Sequence, residues 1–154
     1  MPDDRSHDPR SAEVQEALLA SADPQLAANK RLVYDAYREV VIAGHADRVE
    51  HYFTPDYIQH NPNVASGREA LAAFIRGSRP TRAIEATIML PLVSIIAERQ
   101  MVMLLFERAE TDERGRYVTS WFDLFRIEDG LIAEHWDPAL RSAEMLKFDP
   151  NTKR

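Results

Sequence analysis

Apolar residues in the first half of the chain recur every three or four positions, whereas from Thr87 onward they are β-branched or aromatic and alternate with polar ones, a change from helical to strand period. Residues 11–21 place Val14, Leu18 and Leu19 on one side of a short helix, read as a loosely packed N-terminal arm. Asp23-Pro24 supplies an N-cap followed by proline at the first helical position, and Leu26, Val33, Tyr37, Val40 and Val41 continue the apolar stripe to Gly44, the residue best suited to end it. His45 then reads as a helix-end residue. Residues 46–52 predict a second short helix, and residues 57–60 a brief strand closed by Asn61-Pro62. Ser66 with Glu69 reads as a capping box opening a further helix whose Leu71, Phe74 and Ile75 form the buried stripe.

The second half predicts strands over residues 92–97, 101–108, 117–127 and 131–137, separated by a polar turn at Glu98-Arg99-Gln100, a charged TDERGR loop and an Asp129-Gly130 turn. Helices first and a meander of strands afterwards is the α+β pattern, with helices covering one face of a sheet. Residues 139–154 predict one more helical turn and a frayed end. The chain therefore divides into a polar tail and short helix over 1–22, one domain over 23–148, and a short tail over 149–154.

Composition narrows the function classes. The chain has 154 residues, enough for one core, and no cysteine, which removes disulfides, thiolate metal sites and thiol nucleophiles together. The net charge of −6 is concentrated at the start, because residues 1–28 hold six acids against two arginines and the remainder nineteen acids against seventeen bases. A near-neutral body without a basic stripe argues against nucleic acid and against an anionic membrane. No apolar run has the length of a membrane span, and the first ten residues are polar, so the expected compartment is the cytoplasm. No Walker, GxGxxG, GxSxG or HExxH pattern occurs, so a nucleotide cofactor is not expected.

Chemistry concentrates between Tyr117 and Asp137. Odd positions of the long strand bring Trp121, Asp123 and Phe125 to one face, and a carboxylate among aromatics needs a partner. Two hairpin registers are open. A three-residue loop pairs Ile127 with Leu131 and sets Asp123 opposite His135 and Trp121 opposite Asp137; a two-residue Asp129-Gly130 turn faces Asp123 with Trp136 and sends Asp137 to the other side. The first is preferred because it gives Asp123 an imidazole. An Asp–His pair in an apolar cavity suits a general acid or base, and its alternative is a structural pair that fixes register. His135 and Asp137 with His60 could also form a two-His-one-carboxylate metal set, ranked below metal-free acid–base work. His7 and His51 read as surface residues, and Arg68 and Arg126 as anion contacts or ordinary edge charges.

Three ordered blocks carry a resemblance over roughly residues 25–147: Asp56-Tyr-Ile-Gln-His-Asn-Pro-Asn63 followed by Gly67-Arg-Glu69, then Phe122-Asp-Leu-Phe-Arg126, then Asp129-Gly-Leu-Ile-Ala-Glu-His-Trp-Asp137. Together they resemble the SnoaL-like family of the nuclear-transport-factor-2-like superfamily. The resemblance implies a cone-shaped, cystatin-like fold in which N-terminal helices close a pocket on a curved antiparallel or mixed sheet, usually as a homodimer. It also implies polyketide cyclase-like chemistry without cofactor or metal, with Asp137 as the acid–base residue, Asp123 facing it, and His60 lining the pocket. The resulting expectation is an acid–base enzyme of cyclase, isomerase or lyase type acting on a small apolar carbonyl compound. Asp137 moves the proton, Asp123 and His135 tune it, His60 binds the oxyanion, and Trp121, Phe125, Tyr37, Tyr57 and Phe74 form the wall. The other expectation is a non-catalytic dimeric module that holds a small hydrophobic molecule.

Overall fold

The computed structural model describes residues 8–147 and 149–153; the first seven positions of the expected tail, His7 among them, lie outside these. Helix α1 (Ala12–Leu19) is capped by Ser11 Oγ, which accepts from the Val14 amide. It is docked, contrary to the expected loose arm. Buried Gln15 donates to the Ile88 carbonyl at 2.7 Å and accepts from the Ile88 amide at 2.9 Å, and its carbonyl also takes the Tyr34 hydroxyl proton, so one amide side chain pins the arm as a strand neighbour would.

Helix α2 (Pro24–Ala36) starts as the sequence predicts, with Asp23 accepting from the Gln25 and Leu26 amides. It then widens into a π-helical stretch (Tyr37–Ile42), a departure from the α pattern that is common beside functional sites. Gly44 ends it at φ +76°, where an added Cβ would lie 2.8 Å from the Pro80 carbonyl oxygen. A 3-10 turn (Ala46–Arg48) and α3 (Val49–Tyr52) lead into β1 (Phe53–Gln59), longer than expected at its start.

Helix α4 (Arg68–Ser78) has Gly67 as its N-cap, not Ser66, and no side-chain cap bond. Ser66 Oγ instead accepts from the Gln59 amide, holding the loop against the end of β1. Leu71 and Ile75 are buried and Phe74 is half-buried, because it borders a cavity and not solid core.

The strands are β2 (Leu92–Glu98), β3 (Met101–Asp112), β4 (Gly115–Glu128) and β5 (Leu131–Trp136). Most of the expected TDERGR loop is ladder, since Thr111 pairs with Arg116 and Asp112 with Gly115. The sheet order is β1-β5-β4-β3-β2, antiparallel except for the parallel β1–β5 pair, which makes it a mixed sheet in an α+β fold. Val102, Leu104, Phe106, Phe125 and Ile127 face the helices and are buried with Val33, Tyr34 and Tyr37. The expected C-terminal helical turn is two 3-10 turns (Glu144–Lys147 and Pro150–Lys153). Among the described residues no helix is long and apolar enough to cross a membrane.

The β4–β5 register differs from the preferred reading. Glu128 pairs with Leu131 around a two-residue Asp129-Gly130 turn, and Ile127 with Ile132; then Arg126 pairs with Glu134 and Phe125 with His135, leaving Ala133 as a one-residue bulge. The turn alone would have placed Asp123 and His135 on opposite faces. The bulge restores the parity, because one extra residue exchanges the two faces of everything beyond it.

Candidate active site

Asp123, His135 and Asp137 meet at the inner face of the sheet, beside a cavity of about 80 Å3 between β4, β5, β1 and the helices. Every expected wall residue borders it: Tyr37, Tyr57, Phe74, Trp121 and Phe125. Trp121 and Met145 also border an open trough of about 540 Å3, so these two side chains separate the inner space from the outer one.

Asp123 and His135 are only 6% and 7% exposed. His135 Nε2 lies 2.8 Å from Asp123 Oδ1, and the Tyr37 hydroxyl donates to Asp123 Oδ2 at 3.0 Å. The π-helical turn delivers Tyr37 to this point, with its ring stacked on Phe106 at 5.3 Å. On the other side of the imidazole, Nδ1 lies 2.6 Å from Gln59 Oε1. That Gln59 oxygen also accepts from the Asn61 amide at 3.0 Å, while its Nε2 donates to the Tyr57 hydroxyl at 3.1 Å. With the oxygen so fixed, His135 Nδ1 must carry a proton. A second proton must then sit between Nε2 and Asp123, so the pair has no net charge whichever partner holds it.

Asp137 is the carboxylate left to face the cavity with its charge. Its Oδ2 accepts from Asn61 Nδ2 at 2.8 Å and its Oδ1 from the Ala139 amide at 2.9 Å, and His135 Nε2 is 3.9 Å from Oδ2. Burial nevertheless raises the Asp137 carboxyl above its ordinary range, outweighing the opposing pull of His135 and the Ala139 amide; the nearby Asp123 adds to the rise. Asn61 is itself oriented, since its Oδ1 accepts from the Asn63 backbone and side-chain amides. Burial, then the charge of Asp123, push the Tyr37 and Tyr57 hydroxyls well above their ordinary value, so both are donors at neutral pH.

His60 does not join them. Along β1, Ile58 is level with Glu134 and Gln59 with His135, so inward Tyr57 and Gln59 leave His60 on the outer face. There its side chain is 42% exposed, stacks on Trp136 at 4.8 Å, and sits 2.7 Å from Glu134 Oε1. Arg126 bonds Glu134 and Glu128 on the same side, and Arg68 donates to the Phe53 carbonyl, so neither lines the cavity. His45 bonds the Arg82 carbonyl and His51 is exposed.

Gln59, Asn61 and Arg79 are the polar wall residues that reading the sequence did not single out. Strand alternation from Tyr57 gives Gln59; nothing local gives Arg79, which arrives from the end of α4. Burial lowers Arg79 to about 10, and its guanidinium donates to the Val41 carbonyl and to Ser78 Oγ.

Among the described residues, Asp123, His135 and Asp137 also form a group whose ligand atoms lie within 4.8 Å of one another. A cation there would have to break the 2.8 Å contact between His135 and Asp123, and the expected third ligand, His60, is on the opposite face.

The mixed five-stranded sheet with helices closing its inner face is a fold shared with an NTF2-like protein of unknown function from Burkholderia pseudomallei, which superposes with TM-score 0.50 at 22% identity over 78% of this chain and 95% of its own. The chain belongs to the SnoaL-like domain family, whose model matches residues 34–135. TsrD from Streptomyces laurentii is similar at 26% identity and TM-score 0.51, over 76% of this chain and 90% of that one. An M. tuberculosis LEH-like epoxide hydrolase is similar in fold at 18% identity and TM-score 0.51, covering 71% and 80%. A comparison with curated proteins finds no match.

Proposed function

We propose that this SnoaL-like protein is a cofactor-free acid–base enzyme of cyclase, isomerase or lyase type that acts on a small, largely apolar carbonyl compound, with Asp137 as the group that moves the proton. The observation that carries the reading is the division of labour around His135. Both imidazole nitrogens are engaged, by Gln59 and by Asp123, so the imidazole cannot itself take a proton from substrate, while the Asp137 carboxylate faces an apolar space with its charge exposed to it. Burial destabilises that charge, which makes Asp137 a stronger base than an exposed aspartate. Its step breaks a C–H bond beside the carbonyl, moves the proton to Asp137, and leaves the electron pair in an enolate. The neutral His135–Asp123 pair and Asn61 hold the carboxylate in place.

The cavity is smaller than the roughly 150 Å3 that accommodates benzene in an engineered protein core, so a compact reacting group fits inside and the remainder of a larger substrate extends past Trp121 and Met145 into the trough. The apolar walls also favour a second reading, a module that binds a small hydrophobic molecule without turnover.

We also propose a cytoplasmic homodimer through the outer face of the sheet. Ile96, Met103, Leu124 and Trp136 are successive partners across four strands and form an apolar row there. Ile132 is wholly buried instead of joining that row, because the two-residue turn pairs it with inward Ile127. The test of the catalytic reading is a thermal-shift screen of small ketones and aldehydes, followed by turnover of each hit by the wild type and by Asp137→Asn. Hits turned over only by the wild type support catalysis, and hits that neither protein turns over support the binding module.

A further inference from the structure

His60 was the expected donor to a substrate oxygen, and it lies on the wrong face. The donors that do line the cavity differ in whether their protons are committed. Tyr37 gives its one hydroxyl proton to Asp123, Asn61 gives an amide hydrogen to Asp137, Arg79 gives guanidinium hydrogens to the Val41 carbonyl and to Ser78 Oγ, and His135 gives its two to Gln59 and towards Asp123. Tyr57 differs from these. It is 1% exposed, its oxygen accepts from Gln59 Nε2, and no acceptor takes its O–H among the described residues. A buried hydroxyl proton without an acceptor is costly, and the cost is recovered when a ligand supplies one.

We propose that the Tyr57 hydroxyl donates the hydrogen bond that receives the substrate's carbonyl oxygen, so that substrates of this cavity are ketones or related enolisable carbonyl compounds seated with the oxygen on Tyr57 and the adjacent C–H towards Asp137. This rests on the acid–base reading above and adds to it the orientation of the substrate. Tyr57 is held rigidly, because its ring meets Phe53 edge-on at 5.0 Å and the Gln59 amide that orients His135 also holds the phenol oxygen. One side chain thus registers the base cluster and the oxygen site against each other. As the proton leaves the carbon for Asp137, negative charge gathers on the carbonyl oxygen, where a donor fixed beforehand in an apolar space acts most strongly.

The probe is cyclopentanone, and the readout is its infrared carbonyl stretch when bound. The wild type should shift the stretch to lower wavenumber, Tyr57→Phe should abolish the shift, and Asp137→Asn should keep it. For any ketone that is turned over, Tyr57→Phe should also lower kcat by about 10²- to 10³-fold, as for loss of one oxyanion donor. Where the phenylalanine variant folds poorly, 3-fluorotyrosine at position 57 replaces it; this more acidic phenol should enlarge the infrared shift, and its fluorine resonance should move on ketone addition. A shift retained in Tyr57→Phe, a fluorine resonance that ignores the ketone, or a ketone that leaves the wild-type spectrum unshifted overturns the assignment. Loss of the shift in Tyr57→Phe with full turnover in Asp137→Asn would leave Tyr57 as the oxygen site and remove Asp137 as the base, so the two ideas fail separately.

Discussion

Gln59 Oε1 lies 2.6 Å from His135 Nδ1, and that contact decides which group in the cavity can act as a base. It fixes one imidazole proton, which sends the other towards Asp123 and leaves Asp137, held by Asn61 and the Ala139 amide, as the carboxylate that shares no proton with the imidazole.

Asp137→Asn keeps the shape and cannot take a proton, so any turnover should fall by about 10²- to 10⁴-fold. The melting temperature should barely move. A large drop in melting temperature with activity retained would instead assign Asp137 a structural role, at roughly 1–3 kcal/mol for its lost hydrogen bonding.

The same carboxyl sets a pH dependence. Its folded value is raised by burial, so the native chain holds that proton more tightly than the unfolded one. The stability gained is therefore present below the unfolded value and lost as pH rises through the folded one. Activity should run the other way, rising with pH through that folded value as the base form appears. Melting curves from about pH 4 to about pH 7 should show Asp137→Asn gaining relative to the wild type, and a gain in the opposite direction refutes the raised value.

Asp123→Ala should destabilise by about 1–3 kcal/mol in urea, because it leaves the buried Tyr37 hydroxyl and His135 Nε2 without their hydrogen-bond partner. Unchanged stability would mean that this network rearranges at no cost.

Light scattering should give a dimer mass for the wild type at micromolar concentration and a monomer mass for Leu124→Glu, which puts a charge in the middle of the Ile96–Met103–Leu124–Trp136 row. A monomeric wild type removes the dimer.

Gly44→Ala should lower stability by roughly 1 kcal/mol or more, since φ +76° disfavours a side chain and the new Cβ meets the Pro80 carbonyl. A thermal melt checks it.

The amino-acid sequence determined by itself the features that depend on neighbours along the chain. The Asp23-Pro24 start of α2, the stop at Gly44, the change to strand period and the inward odd positions of β4 all follow from local sterics and side-chain alternation. Strand alternation also held the placement of Gln59 and His60, since Tyr57, expected in the wall, puts Gln59 on the inner face of β1 and His60 on the outer one. What only the tertiary structure decided depends on pairing between distant segments. The Ala133 bulge is not signalled by any local residue type, yet it returns His135 to the face of Asp123. The parallel β1–β5 pair sets Gln59 level with His135, and the π-helical turn brings Tyr37 to Asp123. In each case the local backbone alternatives are close in energy, and burial of the aromatic wall and satisfaction of the buried polar groups select among them.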